Sequence, residues 1–182
     1  MSELALGQIK GLTVNSNIVT VPSGHTLYAP GHVLQVVSAV KTDIYTMTSS
    51  TWTNVPNLSV TITPKSSSSK FLLLANVPIT NFTGGRGVHM KFAGGNTAGF
   101  IGDASSNRIR SGASSAYNTE KFTTSFGLNY LDSPATTSPI TYTIQIRVGE
   151  TGTAAVNLSA VDGDTGDYGR PVSSFTVMEI AA

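Results

Sequence analysis

From Leu58 to Thr63 apolar and polar residues alternate, with Leu58, Val60 and Ile62 on one face. The pattern then changes twice within a dozen residues. Lys65-Ser66-Ser67-Ser68-Ser69-Lys70 interrupts it, and Phe71-Leu72-Leu73-Leu74-Ala75-Asn76-Val77 resumes with apolar side chains on both parities. A period of two marks a strand with one covered face, whereas apolar residues on both parities mark a central strand covered on both sides. The serine-rich hinge between them predicts a crossing from one sheet of a sandwich to the other. Further strands are expected at His32–Val40, Ile44–Thr48, Val88–Phe92, Gly99–Ile101, Phe122–Leu131, Ala154–Leu158 and Ser174–Ile180. The cleanest alternation is Ile140, Tyr142, Ile144, Ile146 and Val148 against Thr141, Thr143, Gln145 and Arg147. Strands repeating every eight to twelve residues or so indicate a sandwich or barrel. No window carries a helical stripe. The prediction is an all-β fold, an antiparallel β-sandwich of jelly-roll-like type. The polar stretch Asp103–Lys121 reads as a long surface loop.

The first thirty residues differ. Leu4, Leu6, Ile9, Leu12, Val14, Ile18 and Val21 are spread among Gly, Asn and Ser, and the segment closes on Pro22, Pro30 and Gly31. Residues 1–30 are therefore expected to form an extended N-terminal arm that anchors the chain or contacts a neighbour, and residues 31–182 a β-sandwich knob. An edge hairpin closed by Asn15-Ser16-Asn17 is the alternative reading of the arm.

Composition narrows the function. Charged residues make up 12% of the 182, while Ser and Thr together supply about a quarter. Such a surface is hydrated by hydroxyls, which suits strands and permits close packing without charge repulsion. The net charge is +1 and the eleven Lys and Arg are scattered, so no nucleic-acid partner is expected. Cysteine is absent, which removes disulfides and thiolate metal sites. No leader and no membrane-spanning run is apparent, so membrane insertion is not expected.

Candidate chemistry is sparse. Asp162, Asp164 and Asp167 punctuate Asp162-Gly163-Asp164-Thr165-Gly166-Asp167, where Gly could bend the loop around a Ca2+ ion. The EF-hand spacing is missing, and Asp-Gly is also a common hairpin turn. His25, His32 and His89 have no zinc-site spacing. Glu120, Asp132, Glu150 and Glu179 are isolated, with no acid–base pair for hydrolysis, so no enzyme is expected and no cofactor beyond that possible Ca2+. Arg108, Arg110, Tyr117 and Tyr168 are the candidates for a receptor or partner contact, whereas Trp52 and Tyr130 are expected to pack at strand ends.

Several of these segments resemble, in their wording, the virion fibre and knob proteins of tailed marine bacteriophages, such as cyanophage-like podoviruses. The residues concerned are Thr51–Val77, Val21–Val36, Leu131–Tyr142, Asp162–Arg170 and Thr176–Ala182, so the likeness covers about residues 20–182. It implies a virion structural protein: a homotrimeric surface knob, fibre or capsid-decoration protein, assembled in the bacterial host cytoplasm and held to capsid or tail proteins by the arm. The alternative it leaves open is a tail-fibre or tail-tip module that binds a host surface glycan or protein. The long repetitive shaft of a tail fibre is missing, which favours a compact knob.

Overall fold

A computed structural model describes residue 23 and residues 29–82, 87–115 and 123–182, with the side chain of Ser115 outside that set. Most of the arm, together with His25, Tyr117 and Glu120, lies outside the described residues.

Among the described residues ten strands form two antiparallel sheets: β1 Val33–Lys41, β2 Tyr45–Met47, β3 Thr53–Ile62, β4 Lys70–Asn81, β5 Val88–Ala93, β6 Ala113–Ser115, β7 Thr124–Asp132, β8 Ile140–Val148, β9 Ala154–Val156 and β10 Ser173–Ile180. Sheet A runs β1-β10-β4, with β7 on the far side of β4, and the short β9 and β2 continue the columns of β10 and β1. Sheet B runs β3-β8-β5-β6. With the short β2 and β9 set aside, the pairs are nested: first strand with last (β1–β10), second with second-last (β3–β8), then β4–β7 and β5–β6. One long hairpin rolled into two sheets gives this order, and it is the jelly roll.

The inward-facing residues of both sheets make one core. Val60 and Ile62, Met90 and Phe92, and the alternate residues of β8 from Ile140 to Val148 meet Phe71, Leu73, Val77, Phe175 and Val177. Phe92 stacks on Phe175 at 5.6 Å between ring centroids and tilts against Phe100 at 5.1 Å. The strand pattern and the serine hinge hold: β3 lies in sheet B, β4 in sheet A, and residues 63–69 cross between them.

Four expectations change. β3 starts at Thr53, five residues early, because Asn57 takes a left-handed φ of 61° and carries the strand through an irregularity that hides the alternation. Gly99–Ile101 is no strand. A 3-10 turn at Thr97–Gly99 instead delivers Phe100 onto Phe92 and Tyr130. The loop expected at Asp103–Lys121 contains β6, which pairs with β5. Finally, β4 is central but covered on both faces only near its end: Pro78 and Thr80 are buried, whereas Leu74 is 36% exposed and Leu72 half-buried.

Candidate functional site

The described sequence candidates fall into two separate loops, one at an end of the sandwich and one at a break within sheet A. At one end β5 runs into Gly94–Gly112. Gly94 has a φ of +95°, and a Cβ there would stand 2.1 Å from the Thr141 carbonyl oxygen, so the turn seats directly on β8. Gly95 follows at φ +54°, close against Asp132 and Tyr142. Asp132 is fully buried and accepts from Tyr142 Oη at 2.6 Å, from the Asn96 amide at 3.0 Å and from the Ser133 amide at 2.8 Å. Burial, then that carboxylate, pushes the Tyr142 phenol far above the ordinary tyrosine range.

Beyond this turn Arg108 and Arg110 are both exposed. Arg110 Nε donates to the Gly102 carbonyl at 2.6 Å, and the Arg108 amide donates to the Ser105 carbonyl at 3.0 Å. Arg110 thus braces its own loop. Tyr117 lies outside the described residues.

At the break in sheet A, level with Val77 and Pro78 of β4, residues 157–172 join β9 to β10. Asp162, Gly163, Asp164, Thr165, Tyr168 and Arg170 line an open groove of about 310 Å³. Arg170 Nη2 sits 2.5 Å from Asp162 Oδ1, and both side chains are about half exposed. An exposed pair of this kind contributes little to stability. Tyr168 is half-buried, its ring packed where a Cβ on Gly163 would have to stand. The structure does not gather Asp162, Asp164 and Asp167 into a cation site. Asp162 is engaged by Arg170, and among the described residues no three His, Asp or Glu side chains come together to hold a metal ion. The Gly residues that suggested a wrap around Ca2+ instead give room to Tyr168 and to the turn closed by the Tyr168 amide on the Thr165 carbonyl at 3.2 Å.

Asp132 and Glu179 flank Phe71 in one row of sheet A, on its inner face. Both are fully buried. Glu179 accepts from the Lys65 amide at 2.7 Å and from Gln35 Nε2, so each carboxylate ties down a connection at the end of the sandwich.

Two surfaces escaped the sequence reading. On the outer face of sheet B, Lys91 Nζ lies 4.6 Å above the Trp52 ring centroid and Arg147 Cζ lies 6.0 Å from it. His89 stands opposite Arg147 and shares a 2.9 Å hydrogen bond with Ser114 Oγ, while Gln145 Nε2 donates to Asn54 Oδ1 at 2.9 Å. Burial, then the Arg147 charge, lowers the His89 pKa. Four distant segments build this face, so no local motif announces it. On the outer face of sheet A an apolar row crosses four strands; its signal was legible in the two-sided apolar pattern of Phe71–Val77, which was read as double burial. Among the described residues no helix is long and apolar enough to cross a membrane.

Fold and surfaces together define a jelly-roll domain with a charge-poor, hydroxyl-rich exterior, an architecture shared by viral capsid domains, lectins and cupins. No protein-family model matches the chain, and no curated protein matches it. Among solved structures it is similar to a chain of the infectious bursal disease virus VP2 subviral particle, with a TM-score of 0.44 and 14% identity over 91% of this chain and 42% of that one. It is also similar to chains of the infectious bursal virus-derived T=1 particles (TM-score 0.44, 13% identity, 91% and 40%) and of the infectious bursal disease virus Gx strain (0.43, 13%, 91% and 42%). The chain spans about two fifths of the length of these matched structures.

Proposed function

We propose that this chain is a structural protein of a virus particle, a jelly-roll knob that assembles with copies of itself and with other particle proteins. The observation that carries this reading is an apolar row on the outer face of sheet A, its Val36 and Leu131 about half exposed among the described residues, on a domain with few charges. A domain that presents such a face is built to be covered by protein. The resemblance to phage fibre and knob proteins supports a homotrimer on the capsid or tail of a tailed bacteriophage, anchored through residues 1–30. The test is immunogold electron microscopy of intact particles of the virus that carries this sequence, with an antibody raised to the full chain. Gold on the particles is the expected result, over the capsid for a decoration protein or at the tail for a fibre or tip. Particles that stay bare while the antibody detects the chain elsewhere in the lysate would overturn the reading.

A second reading, contact with a host-surface glycan or protein, is favoured by the exposed guanidinium of Arg108 and by the Trp52–Lys91–Arg147 cluster. Particles carrying Arg108→Ala, Arg110→Ala and Tyr117→Ala together should adsorb to host cells at least tenfold more slowly while assembling normally. Unchanged adsorption would sink this version.

A further inference from the structure

The outer face of sheet A carries one continuous apolar row where a sandwich facing water would be polar, beside outward polar residues such as Ser38, Thr176, Asn129 and Asn76. Val36 on β1, Met178 on β10, Leu72 on β4 and Leu131 on β7 stand directly opposite one another and form an unbroken row across four strands. Val36 is 55% exposed and Leu131 48%, and Val40 and Leu74 extend the surface along the strands. By register, Lys70 is the one charged residue among the outward positions of these strands. Beside the row lies a groove of about 300 Å³ over Leu74, Asn76 and Gly127. A Cβ on Gly127 would meet nothing within 4 Å, so the glycine opens a trough on the surface.

The first 28 residues of the sequence join the domain at the edge of this face. Pro30 and Gly31, the latter at φ +86°, form a turn in which the His32 amide donates to the Ala29 carbonyl at 3.1 Å. The Gly31 amide then donates to the Ala181 carbonyl at 2.7 Å, and Val33 opens β1 opposite Ile180. Residues 1–22 carry Leu4, Leu6, Ile9, Leu12, Val14 and Ile18 with one acid, Glu3, and one base, Lys10. Their charge is zero, matching a face that offers almost none. Extended, they would reach roughly 70 Å, several times the ~19 Å width of four strands.

We propose that the Val36–Met178–Leu72–Leu131 row is the seat for residues 4–21 of a neighbouring copy of this chain. The inference rests on the reading of the chain as a self-assembling particle protein and specifies how its copies join. Among the described residues none covers Val36 or Leu131, and the proposal assigns their cover to a neighbouring copy. The contact is heterologous, tail segment on sheet face, so repeating it around an axis closes a ring such as a trimer.

The sequence has no cysteine, so introduced thiols report cleanly. Two full-length variants, Leu12→Cys and a size-tagged Leu131→Cys, are co-expressed, oxidised gently and run without reductant. A Gln145→Cys partner on the opposite sheet serves as the control. The expected result is a mixed disulfide between the two chains at least tenfold more abundant than with the Gln145→Cys partner. Equal yields from both faces would overturn the proposal. So would Leu131–Leu131 dimers alone, which would mean face-to-face packing, or a cross-link that forms only when both cysteines are placed in one chain and runs as a monomer. Particles that label with the antibody while this cross-link fails would leave the particle reading standing and remove this one.

Discussion

Asn157 sits where two short strands take over from two long ones, with a left-handed backbone at φ 60°. Its amide donates to the Pro78 carbonyl at 3.0 Å, its Nδ2 to the carbonyls of Lys41 at 2.8 Å and Asp43 at 3.0 Å, and its Oδ1 accepts from Ser173 Oγ at 2.7 Å. One fully buried side chain thus closes the break between β9 and β10 and the break between β1 and β2. Asparagine is favoured because it tolerates this conformation and carries donor and acceptor together. Asn157→Ala should cost about 3 kcal/mol, combining left-handed strain with orphaned buried groups, and lower the Tm by roughly 6–12 °C for a chain of this size. Asn157→Gly removes the strain alone and should recover part of that loss; equal melting of the two would show that the backbone angle is not in play. Titration gives a second residue-scale test. His89 has its pKa lowered in the folded state, so its contribution is full above the ordinary histidine range and is lost as pH falls below about 6.5. His89→Gln should flatten the decline in Tm between pH 7 and pH 5. Tyr142 is shifted the opposite way and favours the fold until the unfolded chain begins to ionise near pH 10. Tyr142→Phe, although less stable at neutral pH through loss of the Asp132 bond, should lose less stability between pH 9 and pH 11.

Elements were legible where a strand's own alternation decided its fate and illegible where a partner did. The span Ile140–Val148 reads directly off the sequence, because one face meets the core and the other water. β6, the three residues Ala113-Ser114-Ser115, has no apolar alternation and exists because β5 offers it an edge. The double apolar character of β4 was legible, but a sequence cannot distinguish a face buried within the chain from one that stays partly exposed, as at Leu74. The serine hinge was legible as a crossing, whereas its lock was not: Glu179 lies more than a hundred residues from the Lys65 amide it accepts from at 2.7 Å. Glu179→Ala should leave that amide unpaired, with Gln35 Nε2 keeping only its bond to the Thr63 carbonyl at 2.8 Å, cost about 1–3 kcal/mol and loosen residues 63–69 ahead of the rest of the sandwich. Trypsin under native conditions should then cut at Lys65 or Lys70 about tenfold faster than in the unaltered chain. An unchanged cleavage rate would show that the hinge is held by its own serine contacts, such as the Ser69 amide on the Ser66 carbonyl at 3.2 Å.

For the whole molecule, the nested pairing joins β1 to β10 across almost the full described chain, and no local pattern encodes such a partnership. Nine of the ten described strands and a jelly-roll-like sandwich could be read; the nested order of pairing came from the structure. The candidate receptor residues fared differently, because Arg108 and Arg110 belong to the loop between β5 and β6 and Tyr168 to the loop between β9 and β10. What sequence and structure share is the scarcity of charge, 12% of residues, and it predicts the character of self-association. Contacts between charged surfaces weaken as salt shortens the Debye length from ~30 Å at 0.01 M to ~3 Å at 1 M. Contacts through the Val36–Leu131 row bury aliphatic side chains and hold or strengthen with salt. Sedimentation velocity of the full chain at 0.05 M and 1 M NaCl should therefore show the same oligomer, with no fall in association. Leu72→Glu with Leu131→Glu should give monomers at both, with a Tm within a few degrees of the parent because neither side chain faces the core. A tenfold loss of association in high salt would place the contact on the Lys91–Arg147 face of sheet B. Oligomers that survived both glutamates would remove sheet A from the assembly altogether.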